Sequence, residues 1–223
     1  MFERLAMPFD QQEELFTYSR KQGIEIFSTP FDFESVDFLE TLGVSLYKIA
    51  SMDLVNLPLI KYVARTGKPM IISTGMSTLG QVEEAVETVI EEGNTNLILL
   101  HCNSSYPAAP YEMNLAVINN YKRLFNIPAG LSDHTFGLFI SHTAIALGAN
   151  VIERHFTLDK TFEGPDHILS SEPDEMAELV SIAKQIPVVI GDGLKRIQPN
   201  EYDTLNTQRK SLYSATDIKK GDI

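Results

Sequence analysis

Two histidines and a glutamate stand out in this sequence because their types and spacing could hold a metal ion. His134 ends the short run 131–134, and Glu153 and His155 end a second run, 151–155. Neutral imidazoles and a carboxylate suit Mn, Zn, Fe or Ni, and they leave coordination positions open for water or a substrate oxygen. The sequence therefore predicts a metal site at His134 and His155. The alternative is that both histidines end loops with satisfied hydrogen bonds, because two histidines at this spacing are a weak signal.

A helix between the two runs would bring them to one edge of a sheet. Residues 139–147 carry apolar side chains at helical spacing, which predicts strand, helix, strand. Right-handed crossovers make such consecutive strands parallel, so both runs should end at the same carboxyl-terminal edge. Side chains alternate along a strand, so Ser132 should share a face with His134, and Glu153 should share one with His155.

Four other polar or reactive residues are predicted to have supporting roles. Asp133 alternates to the face opposite His134, so we expect it to orient an imidazole without binding metal. His101 ends a buried strand and is expected to bond a backbone group. His142 lies in the middle of a helix, with no acidic neighbour at ligand spacing. Cys102 is expected to be a small, buried, apolar side chain.

Composition indicates one globular domain or slightly more. The chain has 223 residues, 43% of them hydrophobic, so it can bury a sizeable core. No apolar run approaches the roughly 20 residues that span a bilayer, and the start lacks a signal-peptide pattern, so we expect a cytoplasmic protein. The net charge of -12 argues against nucleic acid and anionic membranes as partners. A single cysteine excludes an internal disulfide.

The rest of the chain repeats one unit, a short apolar strand followed by an amphipathic helix. The predicted strands are 24–28, 46–50, 69–73, 96–101, 130–134 and 151–155, and the predicted helices are 10–22, 33–42, 57–65, 81–92, 115–125, 139–147 and 173–186. Consecutive strand-helix units without a hairpin indicate a doubly wound sheet or a (β/α)8 barrel. No Gly-x-Gly-x-x-Gly motif follows a strand, so the usual dinucleotide signature of the doubly wound class is missing.

Polar residues at the strand ends favour the barrel, because a barrel builds its active site there. A lysine, hydroxyl or histidine stands at each strand boundary with a regularity that solvated loops would not show. These residues are Ser28 and Thr29, Lys48 and Ser51, Ser73 and Thr74, Asn103 to Tyr106, Ser132 to His134, and Glu153 with His155. The six units are two short of a closed barrel, and residues 1–9 contain no strand pattern. The sequence thus predicts an α/β fold with a partial TIM barrel, strands 3 to 8, over residues 1–195, and the chain reads as a fragment.

Motifs at these strand ends resemble those of the N-acetylneuraminate (sialic acid) synthase family, which includes the pseudaminic and legionaminic acid synthases. The resemblance covers nearly the whole chain, and its blocks occur in order. The blocks are Phe27-Ser28-Thr29-Pro30-Phe31, Tyr47-Lys48-Ile49-Ala50-Ser51, Ile72-Ser73-Thr74-Gly75-Met76, Leu100-His101-Cys102, Tyr106-Pro107, Gly130-Leu131-Ser132-Asp133-His134-Thr135, Glu153-Arg154-His155-Phe156-Thr157 and Gly164-Pro165-Asp166.

The resemblance implies that phosphoenolpyruvate condenses with an N-acylated mannosamine to give a nine-carbon 2-keto acid and phosphate. A divalent metal, most often manganese with magnesium or cobalt as alternatives, would be held by His134 and His155 and would polarise the sugar aldehyde. The residues that match phosphoenolpyruvate-binding positions are Thr29, Lys48, Ser51, Ser73 and Ser132. The residues that match catalytic positions near the acceptor sugar and the metal-bound water are Tyr106, Glu153 and Asp166.

The chain departs from the family pattern near Tyr106, and the resemblance also implies a further domain at the C-terminal end. Some members carry asparagine two places before the tyrosine, where this chain has Ser104, which is assigned to substrate binding, with Asn103 beside it. A C-terminal antifreeze-like (SAF) domain would begin near Arg209, so residues 196–223 are predicted to be a linker and the first strand of that domain. In the family this domain reaches into the partner subunit's site, which implies a homodimer. Without it and the first two strands, the chain alone is expected to be inactive.

Three alternatives remain open. A sister synthase would use a 2,4-diacetamido hexose to make legionaminic or pseudaminic acid, and the shared motifs do not separate it from the N-acetylmannosamine enzyme. Another phosphoenolpyruvate-dependent aldol enzyme would make a seven- or eight-carbon keto acid. Its phosphorylated acceptor would need an extra pair of arginines at the site, and the predicted strand ends carry no such pair. The third alternative is a barrel fragment that binds ligand without turnover.

Overall fold

Five parallel strands form one sheet whose order follows the chain. The computed structural model describes residues 7–221, and the chain divides into two compact units, Met1–Val189 and Ile190–Ile223. The strands of the first unit are β1 (Tyr47–Ile49), β2 (Met70–Ser73), β3 (Leu97–Cys102), β4 (Ala129–Asp133) and β5 (Ile152–Arg154). The helices that begin in this unit are α1 (Phe9–Gln22), α2 (Phe33–Leu42), α3 (Leu57–Ala64), α4 (Leu79–Glu91), α5 (Ala116–Phe125), α6 (Phe139–Ala146) and α7 (Pro173–Ile190).

Each strand is followed by a helix, so all five carboxyl ends meet at one edge of the sheet. The parallel register pairs Lys48 with Ile71 at one side of the sheet and Ser132 with Glu153 at the other. This arrangement confirms the predicted run of strand-helix units over residues 46–155.

Local sequence signals define where the helices begin and end. The Asp32 carboxylate accepts a hydrogen bond from the Ser35 N–H at the start of α2, and Thr78 and Gln81 form a capping box at the start of α4. Gly23 follows α1 with a φ of 71°, a left-handed conformation that glycine adopts without strain. The observed bounds of these three helices lie close to the predicted ones.

The apolar core lies between the outer face of the sheet and the helices. Alternate strand residues on this face are fully or almost fully buried, and they are Tyr47, Ile49, Met70, Ile72, Leu97, Leu99, Ala129 and Leu131. The intervening residues face the other side of the sheet, here called the inner face, and its polar members are Lys48, Ser73, Cys102, Ser132 and Glu153. The sheet is therefore packed on one face and carries polar, chemically useful groups on the other.

The sheet curves strongly toward its inner face. Lys48 on β1 and Glu153 on β5 belong to opposite edge strands, yet Lys48 Nζ lies 3.5 Å from Glu153 Oε2. In a flat sheet, four strand spacings of about 4.8 Å would separate the two backbones by about 19 Å, more than the two side chains can span. The five strands therefore form a half-barrel, which agrees with the predicted barrel class.

Two predicted strands are not formed. Residues 24–28 pair with no strand in the part of the chain that the structure describes, and β1 forms its ladder with β2 alone. An apolar run becomes a strand only where a neighbour can satisfy its backbone hydrogen bonds, so the prediction of a strand there is wrong. Residues 209–221 likewise contain no strand, which contradicts the strand expected near Arg209.

The second unit contains α8 (Tyr202–Gln208), a helix that was not predicted from the sequence, and a one-turn helix at Pro199–Glu201. Every described residue from 190 to 221 is at least partly exposed.

The helix predicted over 173–186 is longer than expected: α7 continues through Pro187 to Ile190. Across residues 7–221, no helix is both long enough and apolar enough to cross a membrane.

Candidate active site

A buried lysine organises the polar residues of the inner face. Lys48 is 7% exposed, and its ammonium donates hydrogen bonds to Ser73 Oγ at 2.7 Å and to the Ile49 carbonyl at 3.1 Å. It lies 3.5 Å from Glu153 Oε2, and the other oxygen of that carboxylate accepts a hydrogen bond from Ser132 Oγ at 2.7 Å. Two hydrogen bonds and one ion pair thus connect side chains from four strands into a group, here called the Lys48 group: Lys48, Ser73, Ser132 and Glu153.

The two histidines predicted to bind metal lie side by side where β4 and β5 end. Their ring centroids are 5.2 Å apart, and the ring planes are inclined by 79°. The Tyr106 ring contacts both, with its centroid 4.1 Å from that of His134 and 5.5 Å from that of His155. Asp166 Oδ2 lies 3.5 Å from His155 Nδ1. The fold therefore brings together four of the residues singled out from the sequence.

The Asn103 carbonyl fixes the tautomer of His134. Its oxygen lies 2.9 Å from His134 Nδ1, and since a carbonyl oxygen can only accept, Nδ1 carries the hydrogen. Nε2 of the neutral ring then keeps its lone pair for a cation. Burial opposes protonation of His134, but hydrogen bonds with Cys102 and Asn103 outweigh it and raise the pKa of the ring. Burial, followed by the neighbouring His134, lowers the pKa of His155.

Small side chains pack closely around Gly75, just beyond β2. The Gly75 N–H donates a hydrogen bond to Ser51 Oγ at 3.0 Å. A Cβ at position 75 would overlap Ser104 Oγ and stand 2.9 Å from Ser51 Oγ. Cys102 Sγ lies 3.7 Å from Ser104 Oγ and 3.9 Å from His134 Nδ1. The predicted substrate-binding residues Ser51 and Ser104 are therefore in one packed cluster beside the histidines.

Cys102 is buried as predicted, but its surroundings are polar. Burial raises the pKa of the thiol, yet hydrogen bonds with His134, Ser51 and Ser104 outweigh burial and lower it overall. Because Cys102 Sγ lies 3.7 Å from Ser104 Oγ and 3.9 Å from His134 Nδ1, the expectation of a purely apolar side chain is wrong.

His101 and Asp133 point to the outer face of the sheet. His101 Nε2 bonds the carbonyl of Met113, which confirms the predicted backbone partner. Asp133 was expected to orient an imidazole, but within the described residues its carboxylate makes no direct hydrogen bond to a histidine. The groups that donate hydrogen bonds to Asp133 belong to Thr135, Ser141 and Arg154.

Thr29 lines a cavity to which no member of the Lys48 group contributes. With Ser28, Pro30 and Met52, it lines a largely apolar cavity of about 780 Å³ beside α1 and α2. Neither Lys48 nor the two histidines line this cavity. Within residues 7–221 Thr29 makes no hydrogen bond to the Lys48 group, so its substrate-binding role remains a prediction from the resemblance.

Comparison with known proteins identifies the family. The sequence profile of the NeuB family matches residues 1–195. The chain belongs to the NeuB family. Its relatives include N,N'-diacetyllegionaminic acid synthase of Campylobacter jejuni, with 44% identity over 225 residues that cover 100% of this chain and 67% of that protein. N-acetylneuraminate-9-phosphate synthase of Homo sapiens is 38% identical over 220 residues, which cover 98% of this chain and 61% of that protein.

A solved structure agrees with the NeuB-family assignment. The crystal structure of N-acetylneuraminic acid (sialic acid) synthetase from Leptospira borgpetersenii matches with a TM-score of 0.83 and 35% identity. The match covers 92% of this chain and 73% of that one. The NeuB-family chain thus has the α/β fold of sialic acid synthase, and it spans about two thirds of the length of the two curated relatives above.

Sequence reasoning missed one buried ion pair of this NeuB-family site. Arg154 Nη1 lies 2.6 Å from Asp133 Oδ2, and the two side chains are 2% and 0% exposed. A signal was present, because opposite charges stand one residue before each histidine and alternation places both on the outer face.

The donor set of this NeuB-family site fits a divalent cation that has two protein ligands. Among residues 7–221, no three of His, Cys, Asp and Glu are grouped so as to hold a metal ion. The Asn103 carbonyl leaves His134 Nε2 free, and His155 Nδ1 lies 3.5 Å from the Asp166 carboxylate. Metal-binding histidines commonly direct their second nitrogen at an oxygen in this way. The remaining coordination positions would be open to water or substrate oxygens.

Proposed function

We propose that this chain carries the active site of a synthase that condenses phosphoenolpyruvate with N-acetylmannosamine. Water is consumed, and the products are a nine-carbon 2-keto sugar acid and phosphate. One observation carries the proposal: the buried Lys48 ammonium, held by Ser73 and 3.5 Å from Glu153, lies at the same sheet edge as the paired imidazoles. Membership of the NeuB family supports it, as do the names of the relatives.

Phosphoenolpyruvate carries a phosphate and a carboxylate, so its site needs a fixed cation and short hydroxyl donors. Lys48 supplies the cation, and Glu153 balances its charge. A bound phosphate or carboxylate competes with Glu153 for the ammonium, which frees that carboxylate to accept a proton. The hydroxyl groups that we assign to phosphoenolpyruvate are those of Ser73, Ser132, Ser51 and Thr29, and Ser104 is assigned to substrate binding without a choice between the two substrates.

The acceptor sugar must have its carbonyl polarised before the enol carbon of phosphoenolpyruvate attacks it. A divalent cation held by His134 and His155 would supply that Lewis acid, and we propose manganese, with magnesium or cobalt as alternatives. Burial raises the pKa of Tyr106 to about 12, so its phenol stays protonated and can donate to the oxygen on which negative charge develops. Asp166 Oδ2 lies 3.5 Å from His155 Nδ1, and it would act with Tyr106 and Glu153 near the acceptor sugar and the metal-bound water.

The alternative acceptor is a 2,4-diacetamido hexose, which would make the protein a legionaminic or pseudaminic acid synthase. The observation that favours it is the 44% identity to the Campylobacter jejuni legionaminic acid enzyme, against 38% to the human enzyme. The described site does not separate the two sugars, because its assigned residues serve the shared substrate and the metal.

A turnover screen tests the proposal. The 223-residue chain, and a chain extended to the length of its relatives, are mixed with phosphoenolpyruvate, manganese and one acylated hexosamine at a time. Release of phosphate and appearance of a 2-keto acid should occur together, in the extended chain and with N-acetylmannosamine. Turnover only with a 2,4-diacetamido sugar would favour the alternative. An extended chain that releases phosphate with none of the sugars would overturn the proposal.

A further inference from the structure

We propose that Arg154 is a positioning residue that sets the separation of the His134 and His155 imidazoles. It would do so without touching substrate or metal. This inference rests on the proposed function, because the imidazole pair is the metal site there.

The Arg154 guanidinium ties three segments together from a buried position. Its side chain is 2% exposed, and Nη1 donates to Asp133 Oδ2 at 2.6 Å. Nη2 donates to the carbonyls of Thr135 and Leu169, at 3.0 and 3.2 Å, and Nε donates to Ser171 Oγ at 2.9 Å. Asp133 and Arg154 are also direct register partners on β4 and β5. The guanidinium therefore joins both strand ends to the segment that contains residues 169–171.

Two of these acceptors adjoin His134 in the chain, and a third contacts the backbone of His155. Asp133 and Thr135 are the chain neighbours of His134, so the guanidinium binds a side-chain carboxylate on one side of that histidine and a backbone carbonyl on the other. Ser171 accepts from the guanidinium through its hydroxyl, and its own N–H donates to the His155 carbonyl at 2.8 Å. The guanidinium thus fixes the backbone positions of His134 and His155 at the ends of β4 and β5. The distance between the two rings depends on those backbone positions.

Arginine is suited to this task in a way that lysine is not. A planar guanidinium can donate in several fixed directions at once, whereas an ammonium is a point charge on a flexible stem. Alternation along β5 places Arg154 on the outer face, opposite Glu153 and His155, so the side chain is remote from the Lys48 group. Arg154→Lys therefore keeps the charge beside Asp133 but releases part of the network.

The test is manganese affinity, measured from the electron paramagnetic resonance signal of free Mn²⁺, which needs no turnover. Arg154→Lys should bind manganese about 10- to 100-fold more weakly than the unsubstituted chain, the usual effect of losing a residue that supports a metal ligand. Ser171→Ala removes one acceptor and no charge, so its loss should be smaller and in the same direction. Arg65→Lys is the control, since Arg65 pairs with Glu92 at the surface. Phosphoenolpyruvate affinity should change little in all three variants.

Unchanged manganese affinity in Arg154→Lys would overturn the inference. So would equal losses of manganese and phosphoenolpyruvate affinity, because they would indicate a general loss of structure. If Arg154→Lys does not fold, Ser171→Ala decides the question by the same criteria. Loss of manganese in His134→Ala but not in these variants would overturn this inference alone. A wild-type chain that binds no manganese would overturn both this inference and the proposed metal site.

Discussion

Lys48 and Ser73 are joined across β1 and β2 by a 2.7 Å hydrogen bond from ammonium to hydroxyl, and neither residue is more than 7% exposed. Lysine is rarely buried unless its charge is paired. Here the counter-charge is Glu153, whose side chain is 36% exposed. Because the Glu153 carboxylate is partly exposed, we expect an anionic ligand to displace it and to pair with the Lys48 ammonium, which the protein already holds in place.

Lys48→Ala should weaken phosphoenolpyruvate binding by about 30-fold or more. Loss of a buried, charge-assisted contact costs about 2 to 5 kcal/mol. Lys61→Ala is the matched control, because Lys61 pairs with Glu92 at the surface, and such a pair is worth under about 1 kcal/mol. Calorimetric titration with phosphoenolpyruvate measures both variants. Equal affinities for the two would show that Lys48 does not hold the substrate.

His134→Ala and His155→Ala should each lose bound manganese while the fold is retained. The manganese ion would have only two protein ligands, so removing either histidine removes half of the donors that the protein supplies. His142→Ala is the control, since His142 lies in α6 and its buried Nε2 has no hydrogen-bond partner among the described residues. Metal analysis after dialysis, with circular dichroism of the same samples, is the measurement. A full complement of manganese in either site variant would rule out the assignment.

Gly75→Ala should destabilise the protein and weaken phosphoenolpyruvate binding. The new Cβ would overlap Ser104 Oγ and crowd Ser51 Oγ, and overpacking of this kind costs about 1 to 3 kcal/mol. Gly80→Ala is the control, because a Cβ there meets nothing within 4 Å and Gly80 lies in the first turn of α4. That variant should be as stable as the parent or up to about 1 kcal/mol more stable. Urea unfolding compares the two, and equal midpoints would contradict the packing described around Gly75.

Glu175→Gln should lower stability near neutral pH but not in acid. The Lys160 ammonium donates to both Glu175 oxygens at 2.6 Å, and this hydrogen bond is the main reason that the pKa of Glu175 lies below its ordinary value. The stabilisation is therefore present above the ordinary pKa and is lost as pH falls through the lower folded-state value. A partly exposed pair is worth about 0.2 to 1 kcal/mol.

The check is the difference in urea midpoint between Glu175→Gln and the parent chain, measured as a function of pH. Glu163→Gln, which changes an exposed acid in the loop that contains Lys160, should show no such difference. A gap between Glu175→Gln and the parent that persists undiminished in strong acid would contradict the ion-pair explanation.

Much of the half-barrel could be predicted because its signals are local. Apolar runs mark β1 to β5, the helical spacing of apolar side chains marks the helices, and strand alternation places Ser132 with His134 and Glu153 with His155. Residues 24–28 have the same apolar pattern but no neighbouring strand within the described chain. A sequence pattern reports the preference of a segment and not the presence of its partner, so that prediction failed.

The support of the site was harder to predict than its chemistry. The Asp133–Arg154 charge pair was visible in the strand register. The hydrogen bonds from Arg154 to the Thr135 and Leu169 carbonyls depend on a loop approaching from further along the chain. The polar environment of Cys102 likewise arises from residues on three different segments. Such tertiary contacts leave no periodic signal in the sequence.

Phosphoenolpyruvate and the divalent cation should bind side by side at this sheet edge, through the Lys48 group and the histidine pair. The most direct measurement is the relaxation that protein-bound Mn²⁺ induces in the phosphorus nucleus of bound phosphoenolpyruvate, because paramagnetic relaxation falls steeply with distance. Strong enhancement is expected in the unsubstituted chain. It should be lost in Lys48→Ala, which binds phosphoenolpyruvate weakly, and in His134→Ala, which holds no manganese. Full enhancement in His134→Ala, or none in a wild-type chain with both ligands bound, would contradict a shared site.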